Sequence, residues 1–265
     1  MIAKFRHTPP SHLIFTLLGG ILLLFIVAPV AGMYFNTSSA GLTETINDEA
    51  VRESIWLSIW TSMAATFIFS LLAVPLAFIL ARKNFPLKNL VNGIIDIPII
   101  IPHSAAGIAV LGIVTRDSFL GQAADMVGIK FVGNPAGIIM AMAFVSIPFL
   151  INAARDGFAA VPERYEKIAL TMGASPIRVF FTISLPLAWR SIVSGLILMW
   201  GRGMSEFGAV IIVAYNPQTA PVLIFERFTS YGLKYSVPAA VLFVTVCLLL
   251  FILFRMVRRR NDAQR

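Results

Sequence analysis

The chain has 265 residues, of which 58% are hydrophobic and 13% charged, with a mean hydropathy of +0.84 and a formal net charge of +8. So apolar a composition excludes a soluble domain of this length and marks an integral membrane protein. The positive charge is not a nucleic-acid footprint, because the basic residues lie beside the ends of apolar segments, where they anchor topology and meet anionic lipid headgroups.

Six segments are long enough to cross roughly 30 Å of hydrocarbon at about 1.5 Å per helical residue. They are Leu13–Phe35, Ser54–Ala81, Asn89–Thr115, Phe131–Ala154, Ser191–Ala214 and Tyr235–Phe254, and only Asp96, Arg202 and Glu206 interrupt them with charge. The first holds 23 uncharged residues. That is longer than the apolar core of a signal peptide, and no small-residue cleavage pattern precedes Tyr34, so it is read as a retained span. With both termini inside, the inner segments carry fifteen Lys and Arg, from Lys4 and Arg6 through Arg82, Lys83 and Lys88 to the basic C-terminus. The outer segments carry five, and Glu44, Asp48, Glu49 and Glu53 crowd the first outer loop. This asymmetry places both termini, and residues 155–190, in the cytoplasm.

Within the third span, Asp96, Pro98, Pro102, His103 and Gly107 concentrate polar and helix-breaking residues. Proline removes an N–H and disfavours helix in the residue before it, and irregular backbone at membrane depth is tolerated only against protein or a water-filled cavity. The span therefore faces the interior. Asp96 near its inner end is read as a structural cap or pair. His103 and Ser104, nearer the middle, are either packing residues or contacts for an anion.

Residues 155–190 form a polar, helix-forming island. Pro162 can open a helix because its missing N–H has no partner in the first turn, and Gly173 can close it in the left-handed conformation. A short helix over 163–174 results, after which Ser175 and Pro176 supply an N-cap and first-turn proline for a second. Such an island is either an amphipathic linker or a surface for a partner outside the bilayer.

In the fifth span, Trp200-Gly-Arg202-Gly-Met-Ser205-Glu206-Phe207-Gly208-Ala209 places Arg202 and Glu206 four apart, on one face of a helix. They form either a structural ion pair or part of a pathway, in which Arg202 attracts an anion and Glu206 limits its retention. Gly201, Gly203 and Gly208 are expected to allow close helix approach. The outer loop 216–235, with Pro217, Thr219, Pro221, Phe225, Phe228 and Tyr231, reads as an amphipathic segment at the interface.

Several activities lack their signatures. No Gly-rich phosphate loop ending in Gly-Lys-Ser/Thr occurs, so an ATP site of that kind is not expected in this chain. Neither a His-Glu-x-x-His helix nor a Gly-x-Ser-x-Gly elbow is present. The histidines are His7, His12 and His103, and Cys247 is the single cysteine, so no metal site or disulfide framework is expected.

The island resembles the coupling loop of ABC importer permeases, whose pattern is Glu-Ala-Ala, three residues, Gly, nine residues, Ile, any residue, Leu, Pro. Gly173, Ile183, Leu185 and Pro186 occupy the matching places, whereas Lys167, Ile168 and Ala169 replace Glu-Ala-Ala and Glu166 stands one residue early. Asp96-Ile-Pro, Pro102-His103, Gly201-Arg202, Ser205-Glu206-Phe207-Gly208-Ala209 and the Asn216-Pro217 to Thr219-Ala220-Pro221 loop are similar to the permeases of molybdate/tungstate importers over roughly residues 50–255. The resemblance implies an all-α membrane protein with six transmembrane helices and the type I ABC importer permease fold. It implies a homodimer in the plasma (inner) membrane, two ATP-binding cassette ATPase subunits that hold ATP and Mg, and a periplasmic or extracellular solute-binding protein. Glu163, Glu166, Lys167, Ala169, Gly173 and Ala174 become candidates for ATPase coupling, with Glu166, Ala169 and Gly173 foremost. His103, Ser104, Arg202, Ser205, Glu206 and Phe207 become pathway or gate candidates, and Pro217, Thr219 and Pro221 candidates for binding-protein docking. Two alternatives remain open, a sulfate or thiosulfate importer permease and a gradient-driven anion carrier.

Overall fold

A computed structural model describes residues 10–262, and every regular element among them is helical. Lys4, Arg6 and His7 of the N-terminal flank, and Arg265, lie outside the described residues. The long elements are α1 (Pro10–Phe35), α3 (Glu49–Arg82), α7 (Pro135–Ala160), α10 (Leu185–Met204) and α13 (Leu233–Asp262). Short helices join them: α2 (Ser39–Asn47), α4 (Lys88–Ile100), α5 (His103–Val114), α6 (Phe119–Asp125), α8 (Glu163–Thr171), α9 (Pro176–Val179), α11 (Gly208–Val213) and α12 (Ala220–Tyr231). Among the described residues five helical stretches are long and apolar enough to cross a membrane, six if α4 and α5 count as one broken span.

The core lies where α7 is sandwiched between α3 and α10. Along α7, Ile138, Ala141, Met142, Leu150, Ala154 and Phe158 are buried. Small residues let the neighbours approach: a Cβ on Gly195 of α10 would lie 2.9 Å from Ala153 Cβ, and one on Gly157 of α7 would lie 2.4 Å from Ser191 Cβ. The buried face of α3 carries Ser58, Thr61, Ser62 and Thr66. Each hydroxyl donates to the carbonyl four residues back in its own helix, with Ser62 Oγ 2.6 Å from the Ser58 carbonyl and Thr66 Oγ1 2.8 Å from that of Ser62. Their O–H groups are thereby satisfied within α3, which leaves an oxygen lone pair free to accept from a neighbour.

Two expected spans are broken. The stretch read as a third span, 89–115, bends by 112° between α4 and α5. Pro102 forces Ile101 into an extended conformation (φ −73°, ψ 147°), and α5 starts afresh behind it. The expected fifth span, 191–214, begins earlier and stops sooner, because α10 starts at Leu185 and ends at Met204, and α11 follows only after Glu206 and Phe207. On its other side α10 continues from α9 through a π-helical turn at Phe180–Ser184. Pro186 has no N–H for the Thr182 carbonyl, so the helical ladder widens there and Leu185 N–H donates to the Phe180 carbonyl instead.

The two breaks meet. A Cβ on Gly107 of α5 would sit 2.9 Å from both Ala209 Cα and Ala209 O in α11, and one on Gly208 would sit 2.7 Å from His103 Cβ. Gly203 faces Ser146, Met142 and Ser62 at ordinary contact distance, whereas Gly201 has open space where a Cβ would be. The expectation that all three glycines of the fifth span allow close approach thus holds for Gly208, not for Gly201. By contrast, α1 has no buried residue along its apolar window and is tied to the rest by a Tyr34 to Thr245 hydroxyl contact of 2.7 Å with α13.

At the end of the bundle away from α8, α2 and α12 pack beside the start of α3. Asp48 caps α3 by accepting the Ala50 N–H at 2.9 Å, and its second oxygen accepts Arg227 Nη2 of α12 at 2.6 Å. Partial burial raises the Asp48 pKa, but the Arg227 hydrogen bond and charge with the capping N–H groups outweigh it and hold the group below its ordinary 3.8.

Gly107→Leu is expected to lower the thermal unfolding midpoint of the detergent-solubilised chain, at an overpacking cost of about 1–3 kcal/mol, while Gly201→Ala leaves it unchanged; differential scanning of the two variants checks this. Because the folded pKa of Asp48 is depressed, its tie to Arg227 contributes stability at and above pH 3.8 that is lost as the pH falls through the lower folded value. Asp48→Asn should accordingly raise amide exchange in α12 by the same factor at pH 5 and pH 8, and a strong dependence across that range would contradict the assignment.

Candidate functional site

Two constellations bring together residues far apart in sequence. The first lies where the broken spans cross. Glu206 retains 1% side-chain exposure, which for a carboxylate requires full compensation. Its Oε2 lies 2.8 Å from Arg202 Nη2 and 3.1 Å from His103 Nδ1, and its Oε1 accepts the Ala209 N–H at 2.9 Å. Arg202 Nη2 is also 3.0 Å from His103 Nε2. The same Nη2 is 3.0 Å from His103 Nδ1 as well, so guanidinium, imidazole and carboxylate lie in mutual contact. One carboxylate thus ties the C-terminal end of α10, the start of α11 and the start of α5.

The other gate candidates surround this knot. Ser205 is exposed and its hydroxyl donates to the Arg202 carbonyl at 3.1 Å. Phe207 is half-buried and its ring packs against Phe225 of α12 with centroids 4.8 Å apart. Ser104 is exposed beside His103. The expected Arg202 to Glu206 pair forms, although Glu206 lies just beyond the helix rather than within it. Asp96 stands apart, accepting Asn152 Nδ2 of α7 at 2.8 Å, which fits its reading as a structural pair.

The second constellation is at the α8 end. Pro162 precedes α8, and a Schellman turn closes it, with the Ala174 N–H donating to the Ala169 carbonyl at 3.0 Å and the Gly173 N–H to that of Leu170 at 3.0 Å. Gly173 takes φ +87°, as its position requires. Ser175 Oγ then caps α9 by accepting the Arg178 N–H at 3.3 Å. Tyr165, Ile168 and Met172 share one exposed side, and Glu163 pairs with Lys167 at 2.9 Å on another. That hydrogen bond with Lys167 holds the Glu163 pKa below its ordinary 4.5. Ala169 and Ala174 are half-buried.

Glu166 departs from its expected place on the docking face. It turns inward with 12% side-chain exposure and receives Arg82, whose Nε lies 2.9 Å from Oε1 and 3.1 Å from Oε2 and whose Nη2 lies 2.7 Å from Oε1. Ser184 in the π turn donates to the same Oε1 at 2.8 Å. Sequence reasoning missed Arg82 and Ser184. Arg82 carried only the signal of a basic flank at a span end, and Ser184 carried none.

Thr219 also requires correction as a docking candidate. It is fully buried at the start of α12, whose Ala220 N–H donates to Ser58 Oγ at 2.8 Å. Pro217 is exposed and Pro221 half-buried, while Phe225, Phe228 and Tyr231 form the exposed side of α12.

Residues 73–262 match the family described as binding-protein-dependent transport system inner membrane component. The chain is 45% identical over 252 residues to the molybdate/tungstate transport system permease protein WtpB of Thermococcus kodakarensis, covering 94% of this chain and 97% of that one. It is 44% identical to the protein of the same name from Pyrococcus abyssi, covering 91% and 93%. Among solved structures, a chain of the bacterial alginate ABC transporter in complex with an alginate pentasaccharide-bound periplasmic protein superposes with a TM-score of 0.73 at 16% identity, covering 95% of each, and so shares the fold. Matched over most of its length by the family and by close relatives within it, the chain belongs to the inner membrane components of binding-protein-dependent transport systems.

Proposed function

We propose that this chain is the membrane-spanning permease of an ATP-driven importer that carries molybdate or tungstate, delivered by an external binding protein. The observation that carries the reading is α8, a short helix held at the ends of α3, α7 and α10 with Tyr165, Ile168 and Met172 exposed along one side. A capped helix with an outward apolar patch suits docking into a cleft of a soluble ATPase, and a gradient-driven carrier has no use for one. The substrate class is supported by relatives named for molybdate and tungstate transport that match nearly the whole chain at 44–45% identity.

In this reading two copies of the chain sit side by side in the plasma membrane with both termini cytoplasmic, and α8 of each engages one ATPase subunit. ATP and Mg are held by those ATPase subunits, with no nucleotide site in this chain. The binding protein docks at the opposite face, against Pro217, Pro221 and the exposed rings of α12. The oxyanion passes the crossing of the broken spans, where Arg202 and His103 keep side-chain exposures of 25% and 43% while Glu206 is buried behind them. A tetrahedral dianion there meets a guanidinium and an imidazole that are already in contact with Glu206. Passage is therefore favoured over tight retention.

The deciding experiment reconstitutes the chain in lipid vesicles with its ATPase and binding protein and compares molybdate, tungstate and sulfate. Binding protein loaded with molybdate or tungstate is expected to stimulate both ATP hydrolysis and uptake; equal competition by sulfate would move the assignment to a sulfate importer, and no ATPase complex at all would remove the importer reading. Arg202→Gln should lower uptake by about tenfold or more, since it leaves Glu206 buried without its main partner; wild-type uptake would take the crossing out of the pathway. Gly173→Leu places a side chain at φ +87°, a strain of about 1–2 kcal/mol at the end of α8. Its expected outcome is ATP hydrolysis no longer matched by uptake in an assembled complex, checked by measuring both in the same vesicles.

A further inference from the structure

The inward turn of Glu166 has a mechanical consequence. Among the described residues α8 buries no side chain fully, so packing alone does not hold it to the spans. Besides its packing against α9 and the π turn, it is fastened by the Glu166 carboxylate. Arg82, the last residue of α3 with 8% side-chain exposure, grips both carboxylate oxygens. The same guanidinium donates Nη2 to the Val161 carbonyl, at the end of α7, at 3.0 Å. Ser184, with no exposed surface, donates to Oε1 from the π turn that leads into α10. One carboxylate therefore joins α8 to the ends of α3, α7 and α10 at once.

The layer beneath is apolar and equally shared. Phe78 of α3 meets Phe158 of α7 edge-on at 5.2 Å and Phe180 of the π turn at 5.0 Å. The Arg82 guanidinium stands 5.9 Å from the Phe78 ring. These rings exclude water from the ion pair, which strengthens it and makes its loss costly. An Arg fork on a carboxylate with a third, hydroxyl donor also fixes direction as well as distance, which a single lysine contact would not. The π turn is the compliant element beside this rigid joint, because its widened ladder already departs from the helix on either side.

We infer that Arg82, Glu166 and Ser184 form the joint through which a push on α8 reaches α3 and α10, with Arg82 and Ser184 as positioning residues for coupling rather than residues that touch ATPase or substrate. This rests on the importer reading above. The outward face of α8 takes the partner and the inward carboxylate passes the load to the spans. Without the joint, α8 swings on its two flanking turns while docked, and the spans stay where they are.

The test compares Glu166→Gln, Ser184→Ala and the reversed pair Arg82→Glu with Glu166→Arg in the full chain, reconstituted with ATPase and binding protein. ATP hydrolysed per molybdate carried should rise about tenfold in Glu166→Gln and about twofold to threefold in Ser184→Ala, with the amount of co-purified ATPase unchanged. The reversed pair should recover most of the wild-type ratio. A purely structural role would lower assembly and leave the ratio alone. As a second readout, hydrogen exchange on the permease alone should show α8 amides of Glu166→Gln exchanging on the order of ten times faster, with α7 unaffected. An assembled Glu166→Gln complex with the wild-type ratio, or α8 exchange equal to wild type, overturns the proposal. If Glu166→Gln does not assemble, the Ser184→Ala ratio decides. Absence of ATP-driven uptake by the wild-type chain counts instead against the importer reading, and the exchange measurement then decides the joint by itself.

Discussion

A carboxylate sealed from solvent must be neutralised where it stands, and Glu206 shows how much architecture that demand organises. Its two oxygens take a guanidinium, an imidazole and a backbone N–H. The N–H belongs to a helix that can start only because the previous one has stopped, and the imidazole belongs to a second interrupted span. Broken backbone in lipid is costly unless its freed groups find partners inside the protein. Two breaks placed against each other supply them together. Gly107 and Gly208 are the steric condition for that contact, since any side chain at Gly107 would collide with the α11 backbone.

The same chemistry appears at the α8 end, with a different result. Around Glu206 the charges are knotted where helices cross, and two of the three members keep some exposure. Around Glu166 the charges bind an otherwise unburied helix to the ends of three others. Between these two knots runs the continuous stretch from α9 through the π turn and α10, from Pro176 to Met204. Ser184 stands at one end of it and Arg202 near the other. The two knots thus stand on one helical stretch, interrupted in its ladder only by the π turn.

Much of this was legible beforehand because lipid imposes simple demands. Length and apolarity located the spans, the Lys and Arg asymmetry set an expected orientation, and Pro162, Gly173 and Ser175 announced the boundaries of α8 and α9, each through a backbone property of that residue alone. Pro102 likewise marked irregular backbone in the third span, though not a bend of 112°. The break after Met204 carried no such mark. No proline stands there, and the helix stops because Glu206 finds its partners in His103, about a hundred residues earlier, and in the N–H of Ala209. Thr219 read as a polar residue in an outer loop, yet α12 packs its start against Ser58 and takes the threonine out of reach.

The membrane class, the number and approximate place of the apolar segments, the short helix and its caps, and the pairing of Arg202 with Glu206 follow from local composition or from spacing within a few residues. Direction came with packing: which face of α8 turns inward, which charges are sealed and which keep contact with solvent, and where the spans break. Those outcomes depend on side chains brought together from 84 or 99 positions away, as Arg82 is to Glu166 and His103 to Arg202. The burial that makes each pair strong exists only once the helices between them have packed.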